Sequence, residues 1–235
     1  MTRSLLRDDD LSPAEQADVL ALAARFKAEP YDHKPLAGPR SVAMVFDKAT
    51  LRTQSSFAAG VAELGGHPMP IDGALAGIGK RESVADVARV LGRQVSQIVW
   101  RTYAQADLEA MATHSGVPVI NALTDDFHPC QLLADLLTVQ ESLGVPLEEL
   151  RVAWIGDGNN MANSWINAAY RLGFHLRIAC PTGYEPDAAI LERARTVTRV
   201  DVIRDPMEAA EGADVVNTDV WASMGQEEET LQRQR

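Results

Sequence analysis

Short apolar runs rich in β-branched residues alternate with amphipathic stretches along most of the chain. Ser12-Pro13-Ala14-Glu15 has the form of a capping box with proline at the first helical position. The helix it opens carries Val19, Leu20, Leu22, Ala23 and Phe26 on one face and meets Pro30 at its end. Apolar runs then predict strands over residues 41–47, 67–72, 97–102 and 117–123. Periodic stretches over 51–64, 83–95, 105–114 and 129–143 predict helices between and after them. Gly144-Val145-Pro146 interrupts the alternation, which restarts with strands over 151–157, 175–180, 200–204 and 214–219. Helices over 160–172, 187–198 and 206–211 separate these. Near-continuous apolar strands joined by helices argue for parallel sheets covered on both faces. The predicted architecture is α/β, with two doubly wound parallel-sheet domains at residues 1–146 and 147–235 joined by the bridging helix 129–143. The second domain reads as incomplete, because after Asp219 the chain runs through Gly225 into the polar residues 226–235 with no closing helix.

Composition narrows the function classes. The chain is 46% hydrophobic and 23% charged, ordinary for a globular protein. Its 33 acids and 22 bases leave a net charge of −11, which disfavours nucleic acid and anionic membrane surfaces as partners. A small anionic substrate is still compatible, since a few local cations hold one. Cys130 and Cys180 are too few for a disulfide framework, and no Cys/His cluster has zinc spacing. Residues 1–10 are acidic where a signal peptide needs an apolar core, and no run is long enough for a membrane span. A soluble cytoplasmic protein is expected.

Ligands of parallel α/β sheets sit beyond the carboxyl ends of the strands, so the strand exits carry the candidate chemistry. The first exit, Asp47-Lys48-Ala49-Thr50-Leu51-Arg52-Thr53-Gln54, leads into a helix. Hydroxyls, an arginine and free N–H groups there make a phosphate cradle, the plainer reading being an N-cap beside a solvated arginine. The third exit brings Arg101, and the fourth brings His128 and Gln131 around the first turn of helix 129–143. Cys130 reads as packing, with no base marked for it. Gly156-Asp157-Gly158-Asn159-Asn160 follows a strand and opens a helix, but Met161 stands where a dinucleotide fingerprint needs its third glycine. Asp219, at the last exit and near Asn160, has the chemistry to hold a substrate ammonium, or merely to cap a loop.

These exits resemble the aspartate/ornithine carbamoyltransferase family, on its ornithine branch. The resemblance rests on residues 50–57, Leu64-Gly65-Gly66-His67, Trp100-Arg101-Thr102, His128-Pro129-Cys130-Gln131, Gly156-Asp157-Gly158-Asn159-Asn160-Met161 and residues 219–225. It implies transfer of the carbamoyl group from carbamoyl phosphate to the δ-amine of ornithine, giving citrulline and phosphate in arginine metabolism. Carbamoyl phosphate would lie on Thr50, Arg52, Thr53, Arg101, His128 and Gln131, with Arg101 and His128 catalytic. Ornithine would lie on Asn160, Asp219, Ser223 and Met224. The resemblance implies no cofactor, and a homotrimer or a multiple of one with sites shared between subunits.

Three departures from the family pattern are visible. Leu51 and Gln54 replace a hydroxyl and a cation of the phosphate element. Gly77 stands where the family has a glutamine that serves a neighbouring subunit. The family's histidine–cysteine–leucine–proline element, a later arginine and its last helix lie beyond Arg235. A second class of function fits these departures: a non-catalytic relative that binds ligand or associates with intact subunits. Putrescine, as an amine related to ornithine, is a further candidate acceptor.

Overall fold

A computed structural model describes residues 3–220. Its helices and strands are α1 (Pro13–Ala28), β1 (Ser41–Phe46), α2 (Arg52–Glu63), β2 (His67–Asp72), α3 (Gly73–Ala76), α4 (Val84–Leu91), β3 (Gln97–Arg101), α5 (Gln105–Ser115), β4 (Val119–Leu123) and α6 (Pro129–Leu143). They continue with β5 (Arg151–Ile155), α7 (Asn160–Leu172), β6 (His175–Ala179), α8 (Ala188–Arg195), β7 (Val200–Ile203), α9 (Pro206–Ala210) and β8 (Val215–Thr218). The chain divides into two compact units, Met1–Thr138 and Val139–Arg235, the division falling within α6. Each unit holds one four-stranded sheet, ordered β2-β1-β3-β4 in the first and β7-β6-β5-β8 in the second. Every strand pair is parallel.

The apolar runs are unbroken because both faces of the central strands are covered. Along β1, Ala43 and Val45 join one core with Ala88, Leu91, Leu108 and Met111 of α4 and α5. The alternate residues Val42, Met44 and Phe46 join another with Val61 of α2. A strand that feeds two cores has no solvent face and shows no polar alternation. The edge strand β2 is less buried, as its polar and proline positions foretell. The outer edge of β4 is met by the N-terminal segment: Leu5 N–H donates to the Val119 carbonyl and Asn121 N–H to the Leu5 carbonyl. In the second unit Trp165 packs edge-on against Phe174, with ring centroids 6.0 Å apart, both fully buried.

Capping follows the sequence. Ser12 caps α1 and Glu15 returns to the Ser12 N–H, the reciprocal box read above. Gly116 and Gly173 take the left-handed conformation that ends α5 and α7. The apolar stripe of α1 does not behave as expected: Leu20 is buried, but Val19 and Leu22 are exposed. Helix α8 stops at Arg195, short of the predicted 198, where Thr196 O–H turns back onto the Arg193 carbonyl. The single turn α3 has no hydrophobic period to announce it.

Candidate active site

The exits of β1, β3 and β4 converge on the N-terminus of α2. Helices α1, α3, α4, α7, α8 and α9 receive a side-chain cap, but α2 and α5 do not, Leu51 and Ala104 standing at their starts. The leading N–H groups of α2 carry no side-chain cap and are available to an anion, whereas the arginine beside them, Arg52, is solvated as the plainer reading has it. Thr50 O–H donates to Thr53 Oγ1 at 3.0 Å, and Arg101 Nη1 donates to the same Thr53 oxygen at 3.3 Å. Arg101 is only 5% exposed, and its Nε has no hydrogen-bond partner among the described residues. A buried donor left over at a cationic site is what an anionic ligand would satisfy. Burial lowers the Arg101 pKa from its ordinary value, yet arginine stays charged at any physiological pH. Arg52, the first residue of α2, and Gln54 are both exposed.

Two contacts brace this cradle from behind. Trp100 Nε1 donates to Asp47 at 2.9 Å, and Thr102 also bonds that carboxylate. Burial nonetheless raises the Asp47 pKa. The buried Lys48 pairs with Asp125 and lies 4.5 Å from the ring centroid of Tyr103, tying all three exits together. β4 ends in a register shift opposite Trp100 and Arg101, and Leu123 there has φ 153°, a region that favours glycine. Thr102 N–H holds the Leu123 carbonyl at 3.0 Å, so the strained turn is pinned where the chain leaves for His128.

His128 lies close enough to Arg101 to feel its charge. Desolvation, reinforced by that cation, pushes the imidazole pKa down to about 4, so the ring is neutral at pH 7. Gln131 N–H donates to His128 Nδ1 at 3.4 Å, a contact that favours the ring proton on Nε2. The Gln131 amide donates from Nε2 to Asp135 at 2.8 Å, leaving its oxygen as an acceptor. Cys130 is the opposite of a nucleophile: burial takes its thiol up to about 12 and its S–H meets the Asn121 carbonyl.

The His128 shift has a stability consequence. Its folded pKa of about 4 lies below the ordinary value of 6.5, so the unfolded chain binds the proton first as pH falls. Stability from this group is therefore complete above pH 6.5 and is lost as pH falls toward 4, on the order of 3 kcal/mol in all. Urea unfolding of the wild type and His128→Gln at pH 7 and pH 4.5 should show a shallower loss in the variant. Parallel losses would place His128 in solvent.

In the second unit Asn160 is the first residue of α7, and Asp219 follows β8. Asn159 Nδ2 donates to Asp219 Oδ2 at 3.1 Å. The sequence marks Asn159 only as part of the turn that opens this helix and gives it no partner, although asparagine is a favoured N-cap. Gly158 N–H donates to the Tyr184 carbonyl at 2.6 Å, so the backbone of 184–186 occupies the space over this turn. That closes it to a dinucleotide pyrophosphate. Ser223 and Met224 lie outside the described residues. No group of His, Cys, Asp and Glu among the described residues has the arrangement of a metal site.

A family model described as aspartate/ornithine carbamoyltransferase, carbamoyl-P binding domain, matches residues 3–141, and one described as the Asp/Orn binding domain matches residues 148–235. The chain is 54% identical over 239 aligned positions to an ornithine carbamoyltransferase of Clavibacter michiganensis, covering 99% of this chain and 78% of that protein. Among solved structures, the anabolic ornithine carbamoyltransferase of Campylobacter jejuni matches with a TM-score of 0.93 and 35% identity, over 99% of this chain and 77% of that one. The ornithine carbamoyltransferase of Thermus thermophilus matches at 0.88 and 42%, with the same coverage.

Proposed function

The chain belongs to the aspartate/ornithine carbamoyltransferase family, and from that premise we propose that it transfers the carbamoyl group of carbamoyl phosphate to the δ-amine of ornithine. One observation in the geometry carries the reading: the buried Arg101, bonded to Thr53 at the uncapped start of α2, with a neutral imidazole beside it. The phosphate is held by Thr50, Arg52, Thr53, Arg101 and the leading N–H groups of α2. The carbamoyl oxygen takes hydrogen bonds from Arg101 and His128 Nε2–H, and the Gln131 oxygen accepts from the carbamoyl NH2. As the deprotonated δ-amine attacks, a C–N bond forms and negative charge gathers on that oxygen. Donors fixed in advance stabilise it without reorganising. The C–O bond to phosphate then breaks, and phosphate leaves with the cradle's cations around it, taking the proton that the new C–N nitrogen sheds. A neutral His128 suits this, because it donates without surrendering its proton.

Ornithine is assigned to Asn160, Asp219, Ser223 and Met224, its ammonium on Asp219. We place the protein in the cytoplasm, in arginine biosynthesis, as a homotrimer or a multiple of one, all on the family resemblance. No helix among the described residues is long and apolar enough to cross a membrane. The likeness to named enzymes over nearly the whole chain supports catalysis over the non-catalytic reading.

Citrulline formation by the purified chain, with putrescine and aspartate as competing acceptors, tests the proposal. Turnover only with ornithine is expected, and faster turnover with either alternative overturns the substrate assignment. Gln54→Arg gives a second test of the cradle. A cation one turn into α2 should tighten phosphate binding about tenfold, the size of one charge-assisted contact. Unchanged phosphate affinity by calorimetry counts against phosphate at this helix end.

A further inference from the structure

We infer that Asn159 is a positioning residue for the amino-acid substrate, its one carboxamide fixing both the start of α7 and the Asp219 carboxylate. The role toward ornithine rests on the function proposed above. Asn159 Oδ1 accepts from Met161 N–H at 2.9 Å and from Ala162 N–H at 3.1 Å. Only the amide oxygen can accept from two N–H groups, so the other arm is the NH2. That arm donates to Asp219 Oδ2 at 3.1 Å, across 60 residues of sequence.

The second Asp219 oxygen is also engaged, accepting from Val220 N–H at 2.7 Å. With one donor on each oxygen the carboxylate cannot rotate freely, and its unused lone pairs point in a fixed direction. A carboxylate holds an ammonium best when it need not lose rotational freedom on binding. The exit itself is anchored, since Thr218 O–H donates to the Ile155 carbonyl at 2.7 Å and so ties β8 to β5. Asn160, assigned to the same substrate, follows Asn159 directly, and the cap that starts α7 sets its place. A single side chain thus sets the spacing between Asn160 and Asp219.

The cap and the Asp219 arm are separable by substitution. Asn159→Ser keeps a capping oxygen and lacks the second arm, and Asn159→Asp keeps the cap but turns a like charge toward Asp219. Both variants should unfold at nearly the wild-type urea concentration. Asn159→Ser should raise the ornithine KM about 10-fold, the loss of one hydrogen bond to a charged carboxylate, and Asn159→Asp further. The carbamoyl phosphate KM should stay within twofold in both. An unmoved ornithine KM, or equal rises in both KM values, overturns the positioning role.

A ligand-free measurement separates this inference from the enzyme reading. The side-chain amide resonance of Asn159, identified by its loss in Asn159→Ser, should shift in Asp219→Ala. A resonance that does not move overturns the Asn159–Asp219 link whatever the activity. No citrulline from the wild type with a resonance that does move overturns the substrate reading, and with it the role toward ornithine, while the link stands.

Discussion

Replacing Arg101 with alanine should lower kcat/KM for carbamoyl phosphate by about 100- to 1,000-fold, the range for losing one donor at a developing oxyanion. The expectation follows from its burial. The guanidinium is fully folded into the first unit, its Nη1 on Thr53 and its Nε unmatched among the described residues. A cation in that position interacts with an anion far more strongly than one in water. Lysine should not rescue the loss, because an ammonium lacks the planar fork that meets two oxygens at once. The same burial makes a second, opposite forecast. Desolvation penalises the charge in the free protein, as its lowered pKa records, so Arg101→Ala should be no less stable than wild type without ligand. Urea unfolding with and without inorganic phosphate separates the two effects. The wild type should gain stability with phosphate, and the variant should gain almost none. A variant within threefold of wild type in kcat/KM would remove Arg101 from the site.

How much of this was readable beforehand depended on whether a residue's partner was near in sequence. Helices α6 and α7 fall on the residues predicted, because Pro129 and Gly144 bound one and Asn159 and Gly173 the other. β2 also matches, bounded by glycines on one side and Asp72-Gly73 on the other. The stripe of α1 failed because periodicity reports which residues share a face, not what lies opposite that face. The cations Arg52 and Arg101 and the His128 ring were legible as strand-exit residues. Lys48 and Asp47 stand in the same first exit, but the contacts by which each braces the cradle were not legible. Their partners stand 77 and 53 residues away, and only the parallel register brings them together. The link from Asn159 escaped for the same reason, its carboxylate partner lying on the far side of three intervening strands and helices in the chain. The neutral state of His128 was equally invisible, since it comes from burial and from Arg101 rather than from any neighbour in sequence.

Gly158→Ala should be the most damaging methyl addition in the second unit, lowering stability by about 3 kcal/mol. A Cβ at this position would lie 2.1 Å from Pro186 N, 2.4 Å from Glu185 C and 2.5 Å from Pro186 Cα. Every one of these atoms is backbone, so no rotamer change relieves the overlap. The 184–186 segment must move away, and the Gly158–Tyr184 bond lengthens or breaks with it. Displacement there also disturbs Arg204, which holds both Glu185 and the Cys180 carbonyl. Gly116 supplies the control. It has φ +72° with open space around its missing Cβ, so Gly116→Ala carries conformational strain alone, about 1 kcal/mol. Urea unfolding of the two variants should therefore differ by roughly threefold in lost stability. Equal losses would mean that the 184–186 backbone stands further from the turn. Because Gly158 adjoins Asn159, the same variant should raise the ornithine KM more than the carbamoyl phosphate KM. A loss of stability with both KM values unchanged would detach the turn from the substrate-holding end of β8.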